Sequence, residues 1–180
     1  MAYGVMVPTQ MASTDVNSYV RKAVSASNVE NGNIVILTGK STTAGESEVF
    51  TAVVPSTANG LTGVWMAYEP EIVLTASKYK GIDPDVRNFR NEAGDVFTVV
   101  KPQLGDLVTL SADCFAGTYI AGTTTHVNCA DGSGLKPIWG NSQTASVFSM
   151  KLLGATYFSI GTGAIDSQRV SAFLFEVVGL

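Results

Sequence analysis

From Val24 to Leu37 the chain reads Val-Ser-Ala-Ser-Asn-Val-Glu-Asn-Gly-Asn-Ile-Val-Ile-Leu. A polar stretch ending in Asn31-Gly32 gives way at once to the β-branched run Ile34-Val35-Ile36-Leu37. Asn-Gly tolerates positive φ at both central positions of a tight turn, the geometry that matches the twist of two antiparallel strands. The pattern predicts a hairpin between residues 23–27 and 33–38. The rest of the chain continues in the same manner, in short β-branched and aromatic runs punctuated by turn residues.

Strands are expected at 33–38, 48–54, 63–68, 72–76, 95–101, 107–111, 118–121, 124–129, 146–153, 156–160 and 169–178. Each is rich in Val, Ile, Phe, Tyr or Thr and bounded by Gly, Pro, Asn or Asp. In the last, Val170, Phe173, Phe175 and Val177 alternate only partly with their neighbours, as in a strand buried on both faces. Residues 15–24 allow two readings. One is a helix capped by Thr14, with Val16, Tyr19, Val20 and Ala23 on one face; the other is an extended arm. The expected class is all-β, an antiparallel barrel or sandwich with long loops and at most one short N-terminal helix or arm.

The chain has the length of one domain, able to bury roughly 70% of its unfolded surface. Residues 1–14 read as an N-terminal arm and 15–180 as a single β-rich domain. Tyr3, Val5, Met6, Val7 and Met11 make the arm too apolar to be a solvated tail, and Pro8 bars a stable helix. Such an arm orders against a neighbouring copy or another protein, or packs back on its own domain. Lys101-Pro102-Gln103-Leu104-Gly105-Asp106 interrupts two strands and reads as a β-turn rather than a domain boundary. Residues 39–47 read as a hairpin tip, 77–90 as a charged connection, and 130–142 as an irregular stretch around Asp131-Gly132-Ser133-Gly134.

Charge narrows the function. Charged residues are 14% of the chain, against about 25% in ordinary domains. Ser and Thr recur throughout, so the surface is neutral, hydroxyl-rich and easily laid against another protein. A net charge of −4 with scattered Lys and Arg argues against nucleic acid, whose affinity comes from neutralised phosphates. The start lacks a signal-peptide pattern, and no apolar run reaches the roughly 20 residues a membrane span needs. Synthesis in a cytoplasm, with no membrane partner, is the expectation.

Apparent motifs dissolve on inspection. Gly39-Lys40-Ser41 imitates the end of a phosphate-binding loop, but Ile34 stands where that loop needs its first Gly, and Thr42-Thr43-Ala44-Gly45 is poor helix material. Gly161-Thr162-Gly163 lacks the third Gly of a dinucleotide fingerprint. His126 is the single histidine, with no nucleophile elbow to partner it. One His and two Cys offer too few ligands for zinc. Asp83, Asp85, Glu92 and Asp95 lack the glycine turn and distal Glu of a calcium hand, and read as solvated loop carboxylates. Cys114 and Cys129 flank an expected hairpin; register would decide whether they can pair, while a cytoplasmic origin favours free thiols. Trp139, after Pro137, is the one aromatic left open to carbohydrate recognition. No catalytic, cofactor-binding or metal residue is assigned, and no enzyme activity is expected.

Beyond Val-Glu-Asn-Gly-Asn-Ile-Val at 29–35, the chain carries Glu-Val-Phe-Thr-Ala-Val-Val-Pro at 48–55 and Gly-Val-Trp-Met-Ala-Tyr-Glu-Pro-Glu at 63–71. Asn-Phe-Arg-Asn-Glu-Ala-Gly stands at 88–94 and Gly-Asp-Leu-Val-Thr-Leu-Ser at 105–111. In this order and spacing the chain resembles a family of small structural proteins of tailed bacteriophages and prophages of Gram-positive hosts, the kind that decorate the head. The resemblance runs over roughly the whole chain in soft hydrophobic-plus-turn patterns. It implies a non-catalytic, cofactor-free virion protein that binds the major capsid protein on the outside of the head and steadies it. A receptor- or glycan-binding module of a head or tail fibre is the alternative. Decoration proteins commonly sit on lattice symmetry axes, so a homo-oligomer, most naturally a trimer, is expected.

Overall fold

The computed structural model describes residues 2–42, 48–70, 85–145, 147–160 and 168–180. Among them are eleven strands in two sheets. β2 (Val20–Ser25), β3 (Ile34–Lys40), β4 (Val49–Val53), β5 (Trp65–Ala67) and β6 (Val96–Val100) close into a barrel in the order β2-β4-β3-β5-β6. The second sheet joins β1 (Met6–Gln10) to β7 (Leu107–Ser111), β8 (His126–Asn128), β9 (Ile138–Gly140), β10 (Ser149–Ile160) and β11 (Gln168–Gly179). Its order is β1-β7-β11-β10-β8-β9. The all-β class read from the sequence holds.

Both faces of the central barrel strands are buried, which is why they read as unbroken apolar runs. Along β3, Val35 and Leu37 join the barrel's own cluster, while Ile34 and Ile36 belong to the core shared with the second sheet. β5 repeats the rule, with Trp65 and Ala67 on one side and Met66 on the other. Ala23, Ala52 and Ala67, one on each of three strands, leave room for Trp65 and Phe97 in so small a barrel. Across the divide, Met66, Ile34 and Val100 meet Met6, Leu110, Phe148, Phe173 and Phe175 in one continuous core.

Asn31-Gly32 does form a turn, with the Asn33 N–H donating to the Glu30 carbonyl at 3.1 Å and Gly32 at φ 80°. It does not join paired strands, and the hairpin expected between 23–27 and 33–38 is absent. β4 lies between β2 and β3, running parallel to β2 and antiparallel to β3. The physical reason is a longer-range demand: β2 buries Ala23 only when flanked by β4 and β6. Asn31 serves elsewhere, its amide spanning the backbone of Glu69 with bonds of 2.9 and 3.0 Å.

The helix reading of 15–24 also fails. A four-residue turn at Ala12–Asp15 and a 3-10 turn at Asn17–Tyr19 lead directly into β2, because Val20, Val24 and Ala23 serve a strand better than a helix face. Residues 6–10, read as part of an arm, are strand β1 paired with β7, and Val5, Met6 and Met11 are buried in the chain's own core. Of the two ways such a segment could order, it packs back on its own sheet. The stretch 118–121 is not a strand but leads into a turn at 121–123, closed by the Ile120 carbonyl accepting from the Thr123 and Thr124 N–H groups. β9 arises inside the stretch 130–142 that reads as irregular. The segments 146–153 and 156–160 merge into one bulged strand, β10. The strand expected at 72–76 lies outside the described residues.

The interruption after β6 is a turn, as read, and also the point where the chain leaves the barrel for the second sheet. Gly105 takes φ 86°, and the buried Asp106 carboxylate gathers three donors: the Ala12 N–H (2.9 Å), the Ser13 hydroxyl (3.0 Å) and the Gln103 N–H (2.9 Å). That carboxylate ties the first helical turn to the crossover.

Candidate functional site

The residues with chemical potential are dispersed. His126 sits on β8, its Nδ1 2.9 Å from the Thr125 hydroxyl, opposite Lys151 in the register of β10. Burial, then the charge of Lys151, lowers its pKa and keeps the ring neutral. No carboxylate among its described contacts orients it as a base.

The loop carboxylates are engaged locally. Asp85 caps the 3-10 turn Val86–Asn88 through the Arg87 N–H and holds the Arg87 guanidinium at 2.7 Å, which pulls the carboxyl below its usual pKa. Glu92 pairs with Arg90 at 2.9 Å, and Asp95 is exposed. Asp83 lies outside the described residues, as do Gly161, Thr162 and Gly163. Among the described residues no group of three or more His, Cys, Asp or Glu is placed to hold a metal ion.

Cys114 and Cys129 are both free and buried. Cys114 fits a niche between Gly4 and Gly32, its sulfur 3.5 Å from the Val5 carbonyl and 3.6 Å from that of Asn31. Burial pushes its thiol up to about 12 and that of Cys129 to about 11. Neither is a nucleophile near neutrality.

Trp139 does not stand free. On β9 it packs against Phe115 at 4.5 Å between ring centroids, Phe173 at 5.1 Å, Tyr119 at 5.3 Å and Phe175 at 5.7 Å. Its place shortly after Pro137 suggests a loop platform; the aromatic cluster makes it the partly covered wall of the core.

The feature hidden from sequence reasoning is on the barrel. Arg21 lies over two rings at once, 4.7 Å from the Phe50 centroid and 4.8 Å from that of Trp65. It borders an open depression of about 380 Å³ shared with Val20, Lys22, Lys40 and Glu48. Lys40 is thereby the end of a strand beside Phe50, not part of a phosphate loop. Lys22 is committed to Thr98 at 2.6 Å and Glu69 at 3.4 Å. β2 and β4 bring these residues together from segments about thirty positions apart, and only the parallel pairing of Lys22 with Val49 reveals it. A second open depression, of about 370 Å³, is lined by Val24, Ser25, Thr51 and Gly94 among others.

Among the described residues no helix is long and apolar enough to cross a membrane. Compared with known proteins, the chain matches no protein family, no curated protein and no solved structure.

Proposed function

We propose that this chain is a virion structural protein, a decoration or cement protein that binds the major capsid protein on the outside of a tailed-phage head and stabilises it without catalysis. The observation that carries the reading is the surface: a strand-rich body with 14% charged residues, abundant hydroxyls and open depressions. Such a surface is cheap to desolvate over a wide area. The likeness of its sequence segments to head decoration proteins gives that general affinity a particular partner. Many weak contacts repeated over a lattice add through multivalency, so no single deep pocket is required. The alternative, a glycan- or receptor-binding module, would rest on Trp139, which is engaged in the aromatic cluster.

Heads purified without the protein supply the test. Mixed with the full chain and sedimented, they should carry it down to a saturating, lattice-fixed stoichiometry and then survive heating better. Failure to co-sediment at any concentration would overturn the reading.

A further inference from the structure

We propose that the open edge of β10, over residues 154–160, is a self-association surface at which two copies of this chain pair strand to strand about a two-fold axis. β10 and β11 run together in unbroken register from Gly154 opposite Leu174 to Ile160 opposite Gln168. Their neighbours stop short. β8 pairs only with residues 149–151 of β10, and β7 only with 172–176 of β11. From Tyr157 opposite Ser171 to Ile160 opposite Gln168 the two strands form a ribbon, paired among the described strands only with each other. One face is covered, since Ile160 and Val170 are buried and Gln168 accepts from Arg87, but the backbone edge of β10 stays unpaired.

Proteins protect such edges with charge, proline or bulges. Residues 152–160 contain no Lys, Arg, Asp, Glu or Pro, and the bulge at Leu152/Gly154 lies before the open stretch begins. The sheet's two terminal strands differ. β1 carries Pro8 and a register shift, and β9 is three residues long. The barrel has no edge at all. Among the described strands, the ribbon therefore offers the long edge without protection.

A second copy of the same edge fits it without conflict. Laid antiparallel on itself over seven residues, it sets Tyr157 opposite Tyr157, Thr156 opposite Phe158, Ala155 opposite Ser159 and Gly154 opposite Ile160. No charge meets a like charge, and each copy supplies the strands that the other's ribbon lacks. Tyr157 is 51% exposed, with the Arg169 guanidinium 4.3 Å over its ring, so the residue at the axis is already held in place by the neighbouring strand. The product is one sheet continuous across the two-fold and four strands wide beyond the reach of β7, hence a dimer. The three-fold ring expected from capsid symmetry would need a different surface. This contact stands on the edge geometry and not on the capsid role.

Sedimentation equilibrium of the full chain, from micromolar to millimolar concentration, should show reversible dimers. Tyr157→Lys places two cations face to face and should weaken dimerisation by about tenfold or more. Leu104→Lys, at a 64% exposed site on the crossover turn, should leave it unchanged. Tyr157→Cys should be joined to its twin by a short thiol cross-linker, while the buried native thiols do not react. A strict monomer throughout would overturn the proposal. So would an oligomer that ignores Tyr157→Lys, one equally disrupted by Leu104→Lys, or one that cannot be cross-linked at 157. Because dimerisation is read in free protein, loss of head binding would leave this result standing, and the reverse.

Discussion

Gly32 meets two demands at once. Its φ of 80° lies where a β-carbon is strained, and a β-carbon there would stand 2.9 Å from both the Cys114 sulfur and Leu110 Cδ2. The turn thus sets the barrel directly against the second sheet. Gly32→Ala should cost about 2–4 kcal/mol, combining backbone strain with overpacking, and denaturant titration would measure it. An unchanged midpoint would show that the neighbours yield freely. Cys114, on the other side of that contact, gives a chemical readout. Its thiol and that of Cys129 titrate at about 12 and 11 in the fold, against roughly 8.5 when exposed. Raised values mean that the native state holds protons the unfolded chain has lost. The stabilisation is complete below the unfolded value and disappears as pH rises through the folded ones. Native protein should therefore resist iodoacetamide at pH 8 and take up two equivalents once unfolded, and should lose stability between about pH 9 and 12. Rapid native alkylation would contradict the burial of these thiols.

At the level of elements, β1 is where local sequence misleads most. Val5, Met6 and Met11 are apolar in a segment too short and too Pro-broken to look like structure, and nothing local names β7 as the partner, about a hundred positions away. Deleting residues 2–12 should therefore unfold or weaken the whole chain rather than merely trim an arm. Each buried side chain removed costs about 2 kcal/mol or more, so thermal unfolding should fall by roughly 10 °C or more. A truncated chain with an unshifted midpoint would mean that the strand adds nothing. Strands set by local composition are legible in the sequence, and their long-range partners are not. β4, β6, β7 and β11 were readable because β-branched runs between turn residues are a local signal. The Asn31-Gly32 turn was readable too, yet its strand partners were not, since β4 enters between β2 and β3 for reasons set by burial of Ala23 and Ala52. The two-ring stacking of Arg21 depends on that same pairing and left no trace in the linear sequence.

The whole molecule is a barrel threaded into a sheet. Strands from Val20 to Val100 close the barrel, and the chain on either side of them builds the second sheet, so β1 clasps the C-terminal half across the insertion. One core runs through both, with Ile34 and Met66 on one side and Phe173 and Phe175 on the other. With 14% charged residues, such a body suits the proposed role of lying on a lattice. The proposed role turns on one image: electron cryo-microscopy of heads assembled with and without the protein. Heads carrying it should show ordered density of barrel-plus-sheet shape on the outer surface at fixed lattice positions, missing from the heads that lack it. Identical reconstructions, or density only on the tail, would contradict the account.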